Sequence, residues 1–276
     1  MSATETTDTR GAPATAQRRR HWSLWVLLTI VIGYLLFPAP AWNKIALIGF
    51  ALDPQRPSHS IYFGEQYMPV EARKTGMYGG FLLGLIVFAL RGRGRAAHYP
   101  GTPYTLLILA LASTLVFDGF NAVFYDLYLP HLYPPNLYLR LGTGLLTGLA
   151  LAALIGPAFN QTVWRTPQPV ASIPNLRALV EVLLVYAVYF ALAFTNWPPL
   201  LIPIALFPGI GLFVLLMMMA ITFTVPMRRR EKTAHTLTDL APDALIALIG
   251  IVLFFAPMVA LRFLLFQGWG PLPAFR

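Results

Sequence analysis

The sequence predicts an all-α, polytopic transmembrane helical bundle, and three observations support this class. Of the 276 residues, 57% are hydrophobic and 11% are charged, whereas about a quarter of the residues in soluble domains are charged. Several apolar runs approach or reach the roughly 20 residues that a helix needs to cross the hydrocarbon core. Between these runs there are no alternating ten-residue segments, which are typical of outer-membrane strands.

The apolar runs predict about seven spans, with the first serving as an N-terminal anchor. The six further runs lie at 76–90, 104–125, 141–159, 176–194, 200–225 and 244–266. The chain is thereby divided into a disordered basic tail (1–21), a transmembrane anchor (22–41), a membrane core with an outer polar loop (42–159) and a C-terminal membrane region of three spans (160–276).

Two apolar segments near the N-terminus leave alternatives open. The anchor run ends in PAPAW, and a signal peptide cleaved after Ala41 is the alternative to an uncleaved anchor. Residues 42–52 are apolar but too few to cross a bilayer. We expect this second segment to be interfacial or re-entrant.

The positions of the basic residues predict the orientation. If the N-terminus is cytoplasmic, the inner segments hold thirteen of the twenty Lys and Arg residues, as the positive-inside rule requires. We therefore expect a multi-pass protein of the cell (plasma) membrane, with the polar loop outside. The net charge of +9 does not indicate nucleic-acid binding, because the basic residues are spread over short connections. The predicted partners are the lipid bilayer and membrane proteins.

The composition also limits the chemistry. The chain has no cysteine, which excludes disulfides, thiolate metal sites and cysteine nucleophiles. No nucleotide-binding loop, nucleophile elbow or pair of catalytic carboxylates is evident in the sequence. We therefore predict no cofactor, no metal site and no catalytic residue, although the sequence does not decide whether the protein is an enzyme.

Glycines repeat at intervals of four residues in two predicted spans. They are Gly76, Gly80 and Gly84 in one span and Gly144 and Gly148 in the other. Glycines four apart line one face of a helix and let a second backbone approach closely. The second and fourth spans are therefore expected to pack tightly.

A cluster of polar residues is predicted at one membrane face. Asp118 lies in an apolar run, where an ionised carboxylate is unfavourable without a partner. Arg140 opens the next span, so we predict an Asp118–Arg140 ion pair, either structural or part of an ion, headgroup or substrate site. The helix hairpins bring the cluster members together: Arg56, Arg73, Asp118, Asn121, Asn136, Arg140 and Thr143.

The motifs of this region resemble domain-of-unknown-function family 2085, a family of predicted membrane proteins. The matching stretches are DPQRP at 53–57 with Ser60, MPVEARKTG at 68–76, Asp118 with Gly119, and Asn136, Arg140, Thr143 and Gly144. The resemblance covers about residues 50–157.

The departures from that family are informative. The resemblance implies three cysteines and a histidine at positions that here are Asp53, Pro54, Glu71 and Lys74. Such thiolates and imidazoles would be plausible soft-metal ligands, but proline and lysine are not. The chain is thus identified as a divergent member without the family's metal-site residues, and a salt-bridge network involving Lys74 is expected to close the loop.

Two functional expectations follow. The first is a non-catalytic structural or accessory subunit of a membrane complex, with the polar cluster at its outer face. The alternative is an enzyme or transporter that handles a small anion or a lipid headgroup at that cluster, with Arg56, Arg73 and Arg140 binding the charge and Asp118 taking protons.

Overall fold

The computed structural model describes residues 14–266, and these are mostly helical. Eight α-helices account for most of them: α1 (Ala14–Leu36), α2 (Ala41–Gly49), α3 (Ala72–Leu90), α4 (Thr102–Asp126), α5 (Leu137–Val163), α6 (Leu176–Ala193), α7 (Leu201–Met227) and α8 (Ala241–Phe266). The all-α class is therefore confirmed.

The strands are short and lie in the connections. In the polar loop, β1 (Tyr62–Phe63) pairs with β2 (Gln66–Tyr67) as an antiparallel hairpin. Its turn contains Gly64 at a φ of 66°, a conformation that glycine adopts without steric cost. At the other end of the bundle, β3 (Ala96–His98) pairs in parallel with β4 (Gln168–Ala171).

Five of the predicted spans coincide with helical segments that are long and apolar enough to cross a membrane. They are Thr102–Asp126, Leu137–Val163, Leu176–Ala193, Pro198–Met227 and Leu237–Phe266. The other two predicted spans fall on α1 and α3, which are helical but are not among the five. The count of seven spans is thus not confirmed, and that count and the cytoplasmic N-terminus stay predictions.

The N-terminal region of the described chain begins with a helix. Helix α1 begins at Ala14, inside the segment 1–21 that is predicted as a disordered tail. Residues 1–13 lie outside the described part of the chain, and the division into tail and anchor stays a prediction. One contact in this segment is an ion pair of 2.7 Å between Arg20 and Asp239, next to α8. Residues 42–52, predicted to be interfacial or re-entrant, overlap the short helix α2.

Helices α3 and α5 form the most extensive contact in the bundle, and α7 packs on the other side of α3. The five glycines of the predicted spacing all lie in the α3–α5 contact. A Cβ added at Gly144 would overlap the carbonyl oxygen of Arg73, and one at Gly148 would lie 2.6 Å from the Met77 oxygen. A side chain at either position would force the two helices apart.

The connections gather at two ends of the bundle. At the basic end, side chains of the connections bind backbone groups: Arg93 donates to Ser172 O at 2.6 Å, and Arg95 donates to His235 O at 3.1 Å. At the polar end, residues 50–71 meet the start of α3, the end of α4, the start of α5 and the end of α8. The polar end carries the predicted cluster.

Candidate functional site

The polar loop is closed by Asp53, which is 1% exposed. Its carboxylate accepts hydrogen bonds from the backbone N–H groups of Gln55 at 2.6 Å and Glu71 at 3.2 Å. Lys74 Nζ lies 3.8 Å from Asp53 Oδ2 and donates to the carbonyl of Leu52. These contacts join the beginning of the loop to the first turn of α3.

A second ion pair closes the same loop from its other side. Glu71 Oε1 lies 2.8 Å from Arg56 Nε and 3.5 Å from His59 Nδ1. Burial alone would raise the pKa of Glu71, but the hydrogen bonds and charges of His59 and Arg56 outweigh burial and lower that pKa to about 2. For Asp53, burial dominates over the attraction of Lys74 and raises the pKa to about 6.

Helix α8 is fastened to the loop by Arg262. This guanidinium donates to the carbonyls of Phe50 and Asp53 and to that of Pro54 at 3.3 Å. It also lies 3.9 Å from the centroid of the Phe50 ring. Arg262 thus donates hydrogen bonds to backbone carbonyls of a buried loop. Without a donor, these buried carbonyls would destabilise the fold.

Asp118 pairs with Arg73, so the predicted Asp118–Arg140 ion pair is wrong. Asp118 is 1% exposed; its Oδ2 accepts from Arg73 Nη2, and its Oδ1 accepts from the Tyr133 hydroxyl at 3.2 Å. Gly119 adjoins this pair: a Cβ there would lie 3.7 Å from Arg73 Nη1, which is ordinary van der Waals contact.

Three of the predicted cluster residues support the backbone. Asn121 Oδ1 accepts from the N–H of Leu132 at 2.8 Å, and Asn121 Nδ2 donates to Tyr133 O at 2.8 Å. Asn136 is the N-cap of α5 and accepts from Leu139 N at 2.8 Å, and the Thr143 hydroxyl donates to Leu139 O at 2.8 Å. Asn121 thus shapes the α4–α5 connection, Asn136 satisfies a helix-end donor, and Thr143 bonds back within α5.

Arg140 differs from the rest of the cluster. It is 6% exposed, and among residues 14–266 its guanidinium has neither a hydrogen bond nor an ion pair. The charges of Arg73, Glu71, Asp118 and Arg56 act on it electrostatically. The structure therefore gathers the seven predicted residues at the polar end. Within residues 14–266, Arg56 and Arg73 each pair with a carboxylate, and Arg140 is the arginine of these seven that does not.

Sequence reasoning missed several members of the site. Asp53, Glu71 and Lys74 were expected only in a network that closes the loop, and Tyr133 and His59 were not placed in the cluster. Arg262 carried a visible signal, since an arginine inside an apolar run is rare and needs a partner.

Within residues 14–266, no group of three or more His, Asp and Glu side chains is placed to hold a metal ion. A cavity of about 690 Å³ lies between α1, α2 and the loop, with Tyr34, Phe37, Leu47, Phe50 and Tyr67 in its lining. This cavity is mainly apolar and does not include the polar cluster.

The chain was compared with known proteins. No curated protein matches it, and no solved structure matches it. One protein family matches, and the match covers residues 54–154. The resemblance predicted from the motifs is therefore confirmed: most of the polar loop together with α3, α4 and most of α5 matches the family described as Predicted membrane protein (DUF2085).

Proposed function

We propose that the protein is a non-catalytic structural or accessory component of a membrane complex, which presents its polar end to a protein partner. The supporting observation is that the three buried carboxylates at this end are held in internal ion pairs. Asp53 pairs with Lys74, Glu71 with Arg56, and Asp118 with Arg73. These ion pairs join the loop to α3 and α3 to α4, which favours a structural role.

The partner surface in this proposal is the connection between α4 and α5. Its side chains include large apolar groups with high exposure, among them Tyr128 at 74% and Leu132 at 91%. The backbone beneath them is fixed by Asn121, so the connection offers a preformed surface. Tyrosine is enriched among the residues that carry binding energy in protein interfaces, and exposed apolar side chains that lie together mark interaction surfaces.

The experiment is gentle purification of the tagged protein from its native membrane, followed by mass spectrometry of the proteins that accompany it. We expect a stoichiometric partner with the wild-type protein and its loss with Leu132→Asp. Leu237→Asp is the matched control, because Leu237 is 72% exposed but lies at the basic end. Purification of the wild-type protein without a partner would contradict the accessory role.

We also propose that the protein is a multi-pass plasma-membrane protein whose basic end faces the cytoplasm. The proposal is supported by the gathering of Arg93, Arg95 and Arg165 with the α7–α8 connection at one end of the bundle, in agreement with the positive-inside rule. Because the chain has no cysteine, single-cysteine variants report orientation directly. A membrane-impermeant maleimide should label Glu65→Cys and not Glu231→Cys in intact cells; the reverse pattern would refute this orientation.

A further inference from the structure

The side chain of Arg140 supports an inference that goes beyond the accessory role. Arg140 lies on the first turn of α5, four residues after the N-cap Asn136, and it is 6% exposed. The guanidinium nitrogens of Arg140 are not among the fully buried, unbonded atoms of the described residues, so they keep some contact with solvent. A charge that is largely removed from water is nevertheless unfavourable without an ion-pair or hydrogen-bond partner. Since Arg140 has neither kind of partner within residues 14–266, its charge is left for a group that is not part of this segment.

The charges around Arg140 indicate which charge its partner would carry. The cluster contains three arginines, Arg56, Arg73 and Arg140, and two carboxylates act on Arg140, those of Glu71 and Asp118. Arg56 pairs with Glu71, and Arg73 pairs with Asp118. One positive charge therefore remains, and the missing partner is an anion.

A second unsatisfied donor lies in the same cluster. Arg73 Nε is buried and has no hydrogen-bond acceptor, although Arg73 Nη2 is bound to Asp118. The positive charges of Arg73 and Arg140 act on each other, and two like charges in a poorly solvated place repel. An anion bound there would relieve this repulsion and accept from the free donors.

We propose that Arg140, assisted by Arg73, binds one phosphate group. The planar guanidinium presents paired donors that match the oxygens of a phosphate. The start of α5 adds the partial positive charge of a helix N-terminus, which also favours an anion. The phosphate has two possible sources with the same chemistry, a phospholipid headgroup at the membrane surface or free phosphate, and the experiment separates them.

The test uses the full-length protein purified in a phosphate-free detergent buffer, with thermal unfolding followed by tryptophan fluorescence. Inorganic phosphate should raise the Tm of the wild type saturably, compared with chloride at equal ionic strength. Arg140→Gln should lose this response, with an apparent affinity about tenfold weaker or worse. Arg177→Gln is the matched control and should respond like wild type, since the Arg177 side chain is 84% exposed.

A second arm identifies the source of the phosphate. The protein is reconstituted in nanodiscs that contain phosphatidylglycerol or a galactosyl diacylglycerol, and native mass spectrometry then counts the lipid it retains. Retention of phosphatidylglycerol by wild type and not by Arg140→Gln assigns a headgroup site, whereas a Tm response without lipid retention assigns free phosphate.

The stability of the protein without phosphate gives an independent check. Removing an unpaired buried charge should leave the Tm of Arg140→Gln in phosphate-free buffer equal to or above that of wild type. If Arg140→Gln does not fold, Arg140→Lys keeps the charge without the planar fork and should show the weakened phosphate response. Equal responses of wild type and variant, or neither a Tm response nor lipid retention in wild type, would overturn the proposal.

Discussion

Helices α5 and α8 show that burial does not follow hydropathy in this protein. The span of α8 has a mean hydropathy of 2.8 but is only 6% buried, whereas the span of α5 has a mean hydropathy of 1.7 and is 61% buried. Lipid tails are as apolar as leucine side chains, so apolar surface gains little by turning inward. The core of the bundle is therefore formed where backbones approach closely and polar groups find partners.

The first prediction concerns the glycine contact and has the largest expected effect. Gly144→Ala places a Cβ against the carbonyl of Arg73 and 3.0 Å from Met77 N, so α3 and α5 must separate. We expect a loss of more than about 4 kcal/mol in the free energy of unfolding, or no folded protein, measured by thermal unfolding in detergent.

The matched control for this substitution is Gly250→Ala in α8. A Cβ at Gly250 has no atom within 4 Å, and alanine favours the helix over glycine by up to about 1 kcal/mol. Its Tm should equal or slightly exceed that of wild type. A similar loss from both substitutions would contradict the comparison between the two helices.

The second prediction concerns the buried pair of Asp118 and Arg73. Asp118→Ala leaves the Arg73 charge without its carboxylate. Because the Arg73 side chain is 25% exposed, we expect a loss of about 3 kcal/mol, the low end of the range for removing one partner of a buried pair. Asp126→Ala is the control, because Asp126 lies in the last turn of the same helix and is only partly buried. Unfolding of both variants in the same detergent measures the difference, and equal stabilities would show that the pair contributes nothing.

The third prediction concerns pH. The folded-state pKa of Glu71, about 2, lies below its ordinary value of 4.5. Its stabilising contribution is therefore fully present above pH 4.5 and is lost as the pH falls towards 2, in total about 3 kcal/mol. Glu71→Gln should flatten this acid limb of a Tm-against-pH profile.

Asp53 contributes a pH dependence of stability with the opposite sign, and this residue is still present in Glu71→Gln. Its folded-state pKa of about 6 is above its ordinary 3.8, so its contribution to stability falls as the pH rises from 3.8 to 6. An acid limb below pH 4.5 that is identical in wild type and Glu71→Gln would count against the Arg56–Glu71 pair.

The fourth prediction has the smallest effect. Lys74→Met removes the donor to Leu52 O and the ammonium at 3.8 Å from Asp53. Because Asp53 keeps the backbone N–H donors of Gln55 and Glu71, we expect the loop to lose only about 1 kcal/mol of stability. Limited proteolysis should then cut within residues 53–71 faster than in wild type, while exposed Lys232→Met should not change the pattern. An unchanged pattern in Lys74→Met would mean that this contact does not hold the loop closed.

Much of this organisation could be predicted from local sequence signals. Apolar runs indicated the helices, and the spacing of Gly76, Gly80, Gly144 and Gly148 indicated the helix pair that the structure brings into closest contact. The motif resemblance indicated the family that residues 54–154 match. Each of these signals is carried by periodicity or by fixed spacing, which does not depend on the tertiary structure.

The pairing of charges could not be predicted in the same way. Asp118 shares the predicted cluster with three arginines, and the choice of Arg73 depends on the side-chain geometry of the folded protein. The attachment of Arg262 to the carbonyls of Phe50 and Asp53 joins residues about two hundred positions apart. Neither contact leaves a pattern in the local sequence.

One matched pair of substitutions tests the central claim most directly, namely that α5 and not the more apolar α8 holds the bundle together. Leu149 in α5 is 0% exposed, and Leu253 in α8 is 69% exposed. Leu149→Ala should lower the free energy of unfolding by about 1 to 3 kcal/mol, since packing is lost but lipid solvates the helix in the unfolded state. Leu253→Ala should change it by less than about 0.5 kcal/mol. Equal losses, or a larger loss at Leu253, would contradict the account.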